Sequence, residues 1–430
     1  MMASVRMDAE PRKALADEKV HIKLTGLAPG QRVTVRARAR DHAGQVWESN
    51  AAFAADGGGN VDVSAQAPIG GTYGAVDATG LFWSMVPQVE GKDPAPFALT
   101  SVTPITVALS AEVEGKQAAA ADVERWLAAP GVTRTDVRED GLVSVFFQPT
   151  GRGPHPAVLV LGGSGGALRW SEQVAALLAS RGCAALALAY FDMEHLPPNL
   201  VEIPLDYFAP ALQWLRARPD VTPGKTAVVG ASKGGELALL LGATYPEITA
   251  VVAYVPSNVV HEGITRGADG RAGKSSWAYR GEPLPFLPRR PGGEIRREVP
   301  VALTPVYLDA LRNQDPGIVE WAAIPVERIR GPVLLISGHD DQLWPSPVFS
   351  ELVIKRLSER RHPYPFRHLC YENAGHSVGP PPYLPTTVTQ SRHPIRDIVL
   401  LSGGDTRGNA TAKAQGWAEV LRFLGEHFGR

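Results

Sequence analysis

Cysteine is nearly absent from this chain of 430 residues: Cys183 and Cys370 are the only two. They stand far apart and without metal-ligand spacing, which excludes a disulfide framework and a zinc knuckle. Both are expected to be reduced residues in buried strands. An excess of charge is also missing. The formal net charge of -1 gives no global attraction to nucleic acid or to an anionic membrane. No uninterrupted apolar stretch approaches the roughly 20 residues of a membrane span, and MMASVRMDAEPRKALADEKV lacks the apolar run of a signal peptide. The expected compartment is therefore the cytoplasm. Internal repeats and low-complexity tracts are likewise lacking. What remains is an ordinary globular composition, 44% hydrophobic and 20% charged, in a chain too long for one compact core. Two domains are expected.

From Val20 to about Leu109, short alternating runs are separated by turn residues. HIKLT (His21 to Thr25) is followed by LAPG, RVTVRARAR (Arg32 to Arg40) by DHAG, and QVWES by DGGGN. Turns at this spacing without helical periods indicate an antiparallel sandwich. In RVTVRARAR the arginines take the even positions, so they form a solvated face opposite Val33, Val35, Ala37 and Ala39. The Ala-rich stretch between Ala111 and Gly141 is expected to be a helix linking the domains, stopped by Pro130 and Gly131. A second pattern then begins. VSVFFQP, PHPAVLVLGGSGG, CAALALAYF, KTAVVG, TAVVAYVPS and GPVLLISG are strands that alternate with amphipathic segments such as LRWSEQVAALLASRG. Such alternation gives a mostly parallel sheet with helices on both faces. Expected boundaries are 1–140 for the sandwich with its linker helix and 141–430 for the second domain. Residues 259–323, dense in Gly, Pro and Arg, break the alternation and are expected to form a lid.

The chemistry begins at VVGASKGGELAL. Ser232 lies between Gly230 and Gly234, after a strand and before a helix, the context a nucleophile elbow needs. A serine hydroxyl is a poor nucleophile unless a base takes its proton, and the base needs an orienting carboxylate. Asp341, in SGHDDQLWPS, follows a buried strand, and His376, in YENAGHSVGPP, follows another. Asp341 is preferred to its neighbour Asp340, and His376 to His339, which adjoins the carboxylates. A metal at the HDD cluster lacks further residues at ligand spacing. The chain order Ser, Asp, His is that of α/β hydrolases. N–H donors for an oxyanion are expected from the backbone of Lys233 and from LGGSGG, near Gly163 or Ser164. That loop lacks the Lys-Ser/Thr of a P-loop.

These residues together resemble the family of type I acyl-CoA thioesterases and bile acid-CoA:amino acid N-acyltransferases. LADEKVHIKLTGLAPGQ and GTYGAVDATGLFWSM resemble its N-terminal sandwich. LGGSGGALRW, ALAYFDMEHLP, GASKGGELAL, SGHDDQLWPS, YENAGHSVGPPPYLP and GGDTRGNATAKAQGWAEVLRFL follow in its order. The resemblance implies an α/β-hydrolase domain behind an all-β, immunoglobulin-like sandwich, a Ser232–His376–Asp341 triad, and no cofactor beyond the CoA of the substrate. It implies hydrolysis of an acyl-CoA, or of an acyl-carrier thioester, through an acyl-enzyme. Arg289, Arg290, Arg296 and Arg297 are candidates for the CoA phosphates, with a solvated surface run as the other reading. The alternative is transfer of the acyl group to an amino acid. Amide-forming members are expected to carry Cys at the nucleophile, so Ser232 speaks for hydrolysis. The RPGGEIRREVP region departs from the family's shorter equivalent, and neither acyl chain length nor oligomeric state follows from these residues.

Overall fold

A computed structural model describes residues 4–89, 95–266, 271–289, 300–396 and 398–429. The chain divides into two compact units. The first comprises residues 1–129 together with 381–388, and the second residues 130–380 and 389–430.

Among its described residues the first unit is all β apart from one turn of helix, Gly80–Trp83. Arg6–Glu10, His21–Thr25 and Val61–Asp62 make one sheet. Lys13–Leu15, Lys116–Trp126, Ile105–Val113, Arg32–Arg40, Val46–Ala54 and Gly70–Gly71 make the path of the other. Arg32–Arg40 buries Val33, Val35, Ala37 and Ala39 and turns its arginines outward, where Arg36 meets Glu112 at 2.9 Å. Strict alternation fixes which face is inside.

The linker helix expected from the alanines does not form. Ile105–Val113 and Lys116–Trp126 are antiparallel strands joined by Glu114 and Gly115, at φ 51° and 75°. A two-residue loop with both φ positive is the turn that hairpins favour, and Glu-Gly is its signal here. Pairing on both sides, with Val107, Leu109 and Val123 buried, outweighs the weak strand preference of alanine.

The second unit is built on an eight-stranded sheet, in which β1 is Thr133–Val137, β2 Val143–Gln148, β3 His155–Leu161 and β4 Ala184–Ala189. β5 is Val221–Ala231, β6 Ala250–Tyr254, β7 Val333–Gly338 and β8 Phe366–Tyr371. The spatial order is β1-β2-β4-β3-β5-β6-β7-β8. β1 and β2 run antiparallel to their neighbours and the rest are parallel. β3, β4 and β7 are buried along their whole length, as helices on both faces require. The helices are α1 (Arg169–Ser180), α2 (Phe208–Ala217), α3 (Lys233–Thr244), α4 (Thr304–Asn313), α5 (Pro316–Trp321), α6 (Ser346–Glu359) and α7 (Thr406–Phe428). This is the α/β-hydrolase architecture, and it brings the loops after β3, β5, β7 and β8 to the carboxyl edge of the sheet, where open α/β sheets place their sites.

The insertion expected to be a Gly/Pro/Arg-rich lid is more firmly built than its composition suggests. Trp277 is wholly buried in the main core, and Val259, Leu287, Ala310 and Ala322 form a small core of their own. Short strands Glu262–Ile264, Arg271–Ser275 and Trp277–Tyr279, with α4 and α5, order it. Residues 267–270 and 290–299, including Arg290, Arg296 and Arg297, lie outside the described residues.

Candidate active site

β5 stops at Ala231, Ser232 adopts φ 58° and ψ -121°, and α3 starts at Lys233. A non-glycine residue held at positive φ between a strand and a helix is strained, and the surrounding packing enforces it. A Cβ on Gly234 would lie 2.3 Å from the Gly162 carbonyl oxygen, so only glycine lets α3 begin against the loop after β3. Across from it, a Cβ on Gly163 would lie 3.2 Å from Ser232 Cβ and 3.7 Å from its Oγ. The Gly163 backbone thus sits beside the Ser232 hydroxyl. Lys233 is the first residue of α3, and the leading N–H groups of a helix have no acceptor within it.

The Lys233 side chain turns inward. Its ammonium donates to both oxygens of Glu236 at 2.8 and 2.9 Å, and the Trp277 indole donates to Glu236 Oε1 at 2.7 Å. Burial works against both charges, pushing the Lys233 ammonium down and the Glu236 carboxyl up, while their mutual bond opposes it. The elbow is therefore anchored to the insertion through Trp277.

Asp341 follows β7 and is buried. It accepts from the backbone N–H of Leu343 at 3.0 Å, from that of Trp344 at 3.3 Å, and from the Ser346 hydroxyl at 2.5 Å. His376, in the loop after β8, places Nδ1 2.9 Å from Asp341 Oδ2 and 3.1 Å from Oδ1. Its loop is fixed from the C-terminal side. The Ser402 carbonyl accepts from His376 N at 2.7 Å, and Asn409 Oδ1 accepts from Gly375 N at 2.8 Å. Asp340, by contrast, is exposed and accepts from Gly404 N, and His339 is exposed, 3.9 Å from Glu372. The sheet thus pairs Asp341, not Asp340, with His376.

Ser164, Ser232, Lys233, Tyr307, Trp344 and His393 are among the lining of one cleft. Trp344 also packs beside the Asp341–His376 pair: its ring centroid is 6.1 Å from that of His376, and its indole donates to the Val255 carbonyl. Ile264, Leu303 and Tyr307 bring the insertion into the lining of the cleft. His393 is buried, with Nε2 2.9 Å from Ser164 Oγ, and burial together with the Arg396 charge pushes its pKa down to about 4.

Two expectations change. Arg289 is buried, 3.3 Å from Glu262, so its guanidinium serves the insertion rather than an exposed phosphate site. Cys183 is buried as expected, but Cys370 is exposed because β8 is the sheet's edge strand. Among the described residues there is no group of three His, Cys, Asp or Glu placed to hold a metal ion, and no helix long and apolar enough to cross a membrane. Glu236, Trp277, Trp344, His393 and Asn409 were not legible as site residues. Asn409 had a signal in the GGDTRGNA block, but its partner Gly375 is distant in sequence.

Two family profiles match the chain. Residues 17–139 match "Acyl-CoA thioester hydrolase/BAAT N-terminal region", and residues 203–430 match "BAAT / Acyl-CoA thioester hydrolase C terminal". The mouse protein named peroxisomal succinyl-coenzyme A thioesterase is 30% identical over 96% of this chain and 94% of its own length. Human acyl-coenzyme A thioesterase 1 is 31% identical over the same shares. Mouse acyl-coenzyme A amino acid N-acyltransferase 1 is 31% identical over 98% of each chain. Matched in both of its regions and along nearly its full length, the chain belongs to the acyl-CoA thioester hydrolase and bile acid-CoA:amino acid N-acyltransferase family and is a thioester hydrolase.

Proposed function

We propose that the protein hydrolyses an acyl-CoA to the free acid and CoA through an acyl-enzyme on Ser232. The observation that carries this reading is the Asp341–His376 pair at the carboxyl ends of β7 and β8, in the sheet whose β5 ends in the Ser232 elbow. With Nδ1 donating to Asp341, His376 Nε2 is the acceptor for a proton. Ser232 Oγ attacks the thioester carbonyl carbon and its proton passes to His376. The tetrahedral adduct collapses with cleavage of the C–S bond, and His376 returns the proton to the CoA sulfur. Water then loses a proton to His376, attacks the ester carbon, and the acid leaves as the proton returns to Ser232. Backbone N–H groups of Lys233 and of the Gly163–Ser164 loop stabilise both oxyanions, each donor being worth about 2.7–4 kcal/mol of barrier.

Acyl transfer to an amine is the second reading, supported by the relative named as an amino acid N-acyltransferase. Both are tested by thiol release from acyl-CoAs of graded chain length, and from an acyl-carrier thioester, with glycine or taurine added or omitted. Free acid as the main product in the presence of amine supports hydrolysis. Amide as the main product replaces it with transfer, and no thiol release from any thioester removes both.

A further inference from the structure

The hydrogen bonds around His393 determine where its proton is. The hairpin turn between Gln390–Arg392 and Val399–Leu401 wraps the imidazole so that the backbone N–H groups of Ile395 and Arg396 both point at Nδ1, each at 3.2 Å. Two donors aimed at one ring nitrogen require a lone pair there, so Nδ1 carries no hydrogen. Burial and the neighbouring Arg396 charge disfavour the doubly protonated ring, and the neutral ring must then carry its hydrogen on Nε2. Nε2 lies 2.9 Å from Ser164 Oγ, so the ring donates and the Ser164 oxygen accepts.

A hydroxyl whose oxygen accepts from a fixed donor still has its own hydrogen to give. Ser164 lines the cleft together with Ser232, and the preceding Gly163 is the residue whose backbone abuts Ser232. Among the described residues, no acceptor takes the Ser164 hydrogen; the bond to His393 is the one recorded for its hydroxyl. The Ser164 hydroxyl, on a residue that lines the cleft, thus keeps its own hydrogen free to donate.

We propose that the Ser164 hydroxyl donates a hydrogen bond to the oxygen of the reacting carbonyl, as a side-chain donor added to the backbone N–H groups, and that His393 is the positioning residue that keeps this hydroxyl turned to the substrate. The proposal rests on the acyl-enzyme reading of Ser232. It assigns a role to two side chains that the nucleophile, base and acid leave unexplained. It also accounts for a buried histidine that has no carboxylate partner among the described residues: a protonated ring would lose its Nδ1 bonds, and the opposite tautomer would leave Ser164 donating backwards.

The test is kinetic and uses the full-length chain with Ser164→Ala, Ser164→Thr, His393→Phe and the Ser164→Ala/His393→Phe pair. Removal of a side-chain oxyanion donor is expected to lower kcat about 10²-fold with KM little changed. Ser164→Thr, which keeps the hydroxyl, should recover most of that loss. His393→Phe should show a smaller loss in kcat, and none further in the Ser164→Ala background, because a group acting only through Ser164 has nothing left to position. Nitrogen-15 shifts of the imidazole should report the Nε2–H form. Wild-type kcat in Ser164→Ala, a Thr variant as slow as the Ala variant, or additive losses in the pair would overturn the assignment. Ser232→Ala is the separate control for the nucleophile. If the wild-type chain releases no thiol, the same variants are read on the rate at which a fluorophosphonate labels Ser232, whose P=O group occupies the same place; an unchanged labelling rate in Ser164→Ala then overturns the proposal on its own.

Discussion

The cleft has two walls of different construction. One is made of the loops after β3, β5 and β7, which bring Ser164, Ser232 and Trp344 to the cleft from the parallel sheet; Ser232 N donates at 2.9 Å to the carbonyl of Tyr254, the last residue of buried β6. The other is the insertion, which supplies Ile264, Leu303 and Tyr307 from short strands and helices of its own. The first wall holds the polar groups of the proposed chemistry; the second is mostly apolar, although it also bonds to the Asp341 loop, where the Thr304 hydroxyl donates to the Asp341 carbonyl at 2.6 Å. On the proposed function the sheet side would carry the chemistry and the insertion would face the acyl chain, and the variants below test that division.

The largest effects belong to the sheet wall. Ser232→Ala should lower thiol release by at least about 10³-fold, leaving only what binding and oxyanion donors provide. Asp341→Asn should cost about 10⁴-fold in kcat, because an amide no longer selects the His376 tautomer. Asp340→Asn, at an exposed turn, should change it by less than about threefold. All three should melt near the wild-type temperature, as followed by circular dichroism. A wild-type rate for Ser232→Ala, or an Asp340 variant slower than the Asp341 one, would break the comparison at its strongest point.

The next effect blurs the boundary between the walls and so sharpens it. Trp277 belongs to the insertion, yet it is fully buried and its indole donates to Glu236, which holds Lys233 at the start of α3. Trp277→Ala should destabilise by about 3–5 kcal/mol, the range for truncating a buried aromatic. Trp277→Phe should cost less in packing but leave Glu236 short of a donor, for about 1–3 kcal/mol. Urea unfolding measures both. Removal of the whole segment from Gly267 to Arg297 takes Trp277 with it, so that deletion should lose its cooperative transition instead of merely changing selectivity, contrary to what its Gly, Pro and Arg content suggests.

That contrast marks what could be read from the sequence. The alternation of all-apolar strands with amphipathic helices is a local signal, and so is a serine between glycines at a strand-to-helix junction. Both survive intact in the second unit. The pairing of Asp341 with His376 was legible because each residue follows its own strand, and parallel strands deliver their ends to one edge. The Ala-rich stretch misled because alanine's helix preference is weak beside strand pairing on two sides, and the Glu114-Gly115 turn was the stronger signal. His393 and Trp277 were invisible for another reason. Their partners, Ser164 and Glu236, are 229 and 41 residues away, and no periodicity relates them. The same holds for Asn409 and Gly375.

A third effect concerns pH. His393, at about 4, and His261, which burial and the charges of Lys233 and Arg289 hold well below 6.5, are both neutral in the folded protein. The unfolded chain takes up their protons first as pH falls through 6.5, so it binds more protons than the native state below that pH, down to about 4 for His393. Stability from these groups is fully present above 6.5 and is lost on acidification across that window, at up to about 1.4 kcal/mol per pH unit for each ring. His393→Gln should flatten the slope of unfolding free energy against pH by about one proton over that range. An unchanged slope in urea titrations at pH 6.5, 5.5 and 4.5 would show that the ring is not neutral in the fold.

The smallest effect is the one the insertion wall should produce alone. Tyr307 projects from α4 and packs edge-on against His261, with centroids 4.9 Å apart, and against Trp344 at 5.9 Å. It lines the cleft without a bond to Ser232, His376 or Asp341 among the described residues. Tyr307→Ala opens room beside Trp344 while the sheet wall keeps its geometry. A pocket discriminates by about 1–3 kcal/mol for each methylene it accommodates or rejects, so the ratio of kcat/KM between a longer and a shorter acyl-CoA should shift by roughly 10-fold toward the longer one. The rate of Ser232 labelling by a small fluorophosphonate, which reports the sheet wall and not the acyl pocket, should stay within about twofold. If labelling falls as far as acyl-CoA turnover does, Tyr307 supports the nucleophile and the division between the walls is wrong; if neither changes, the acyl chain runs elsewhere and α4 is not its wall.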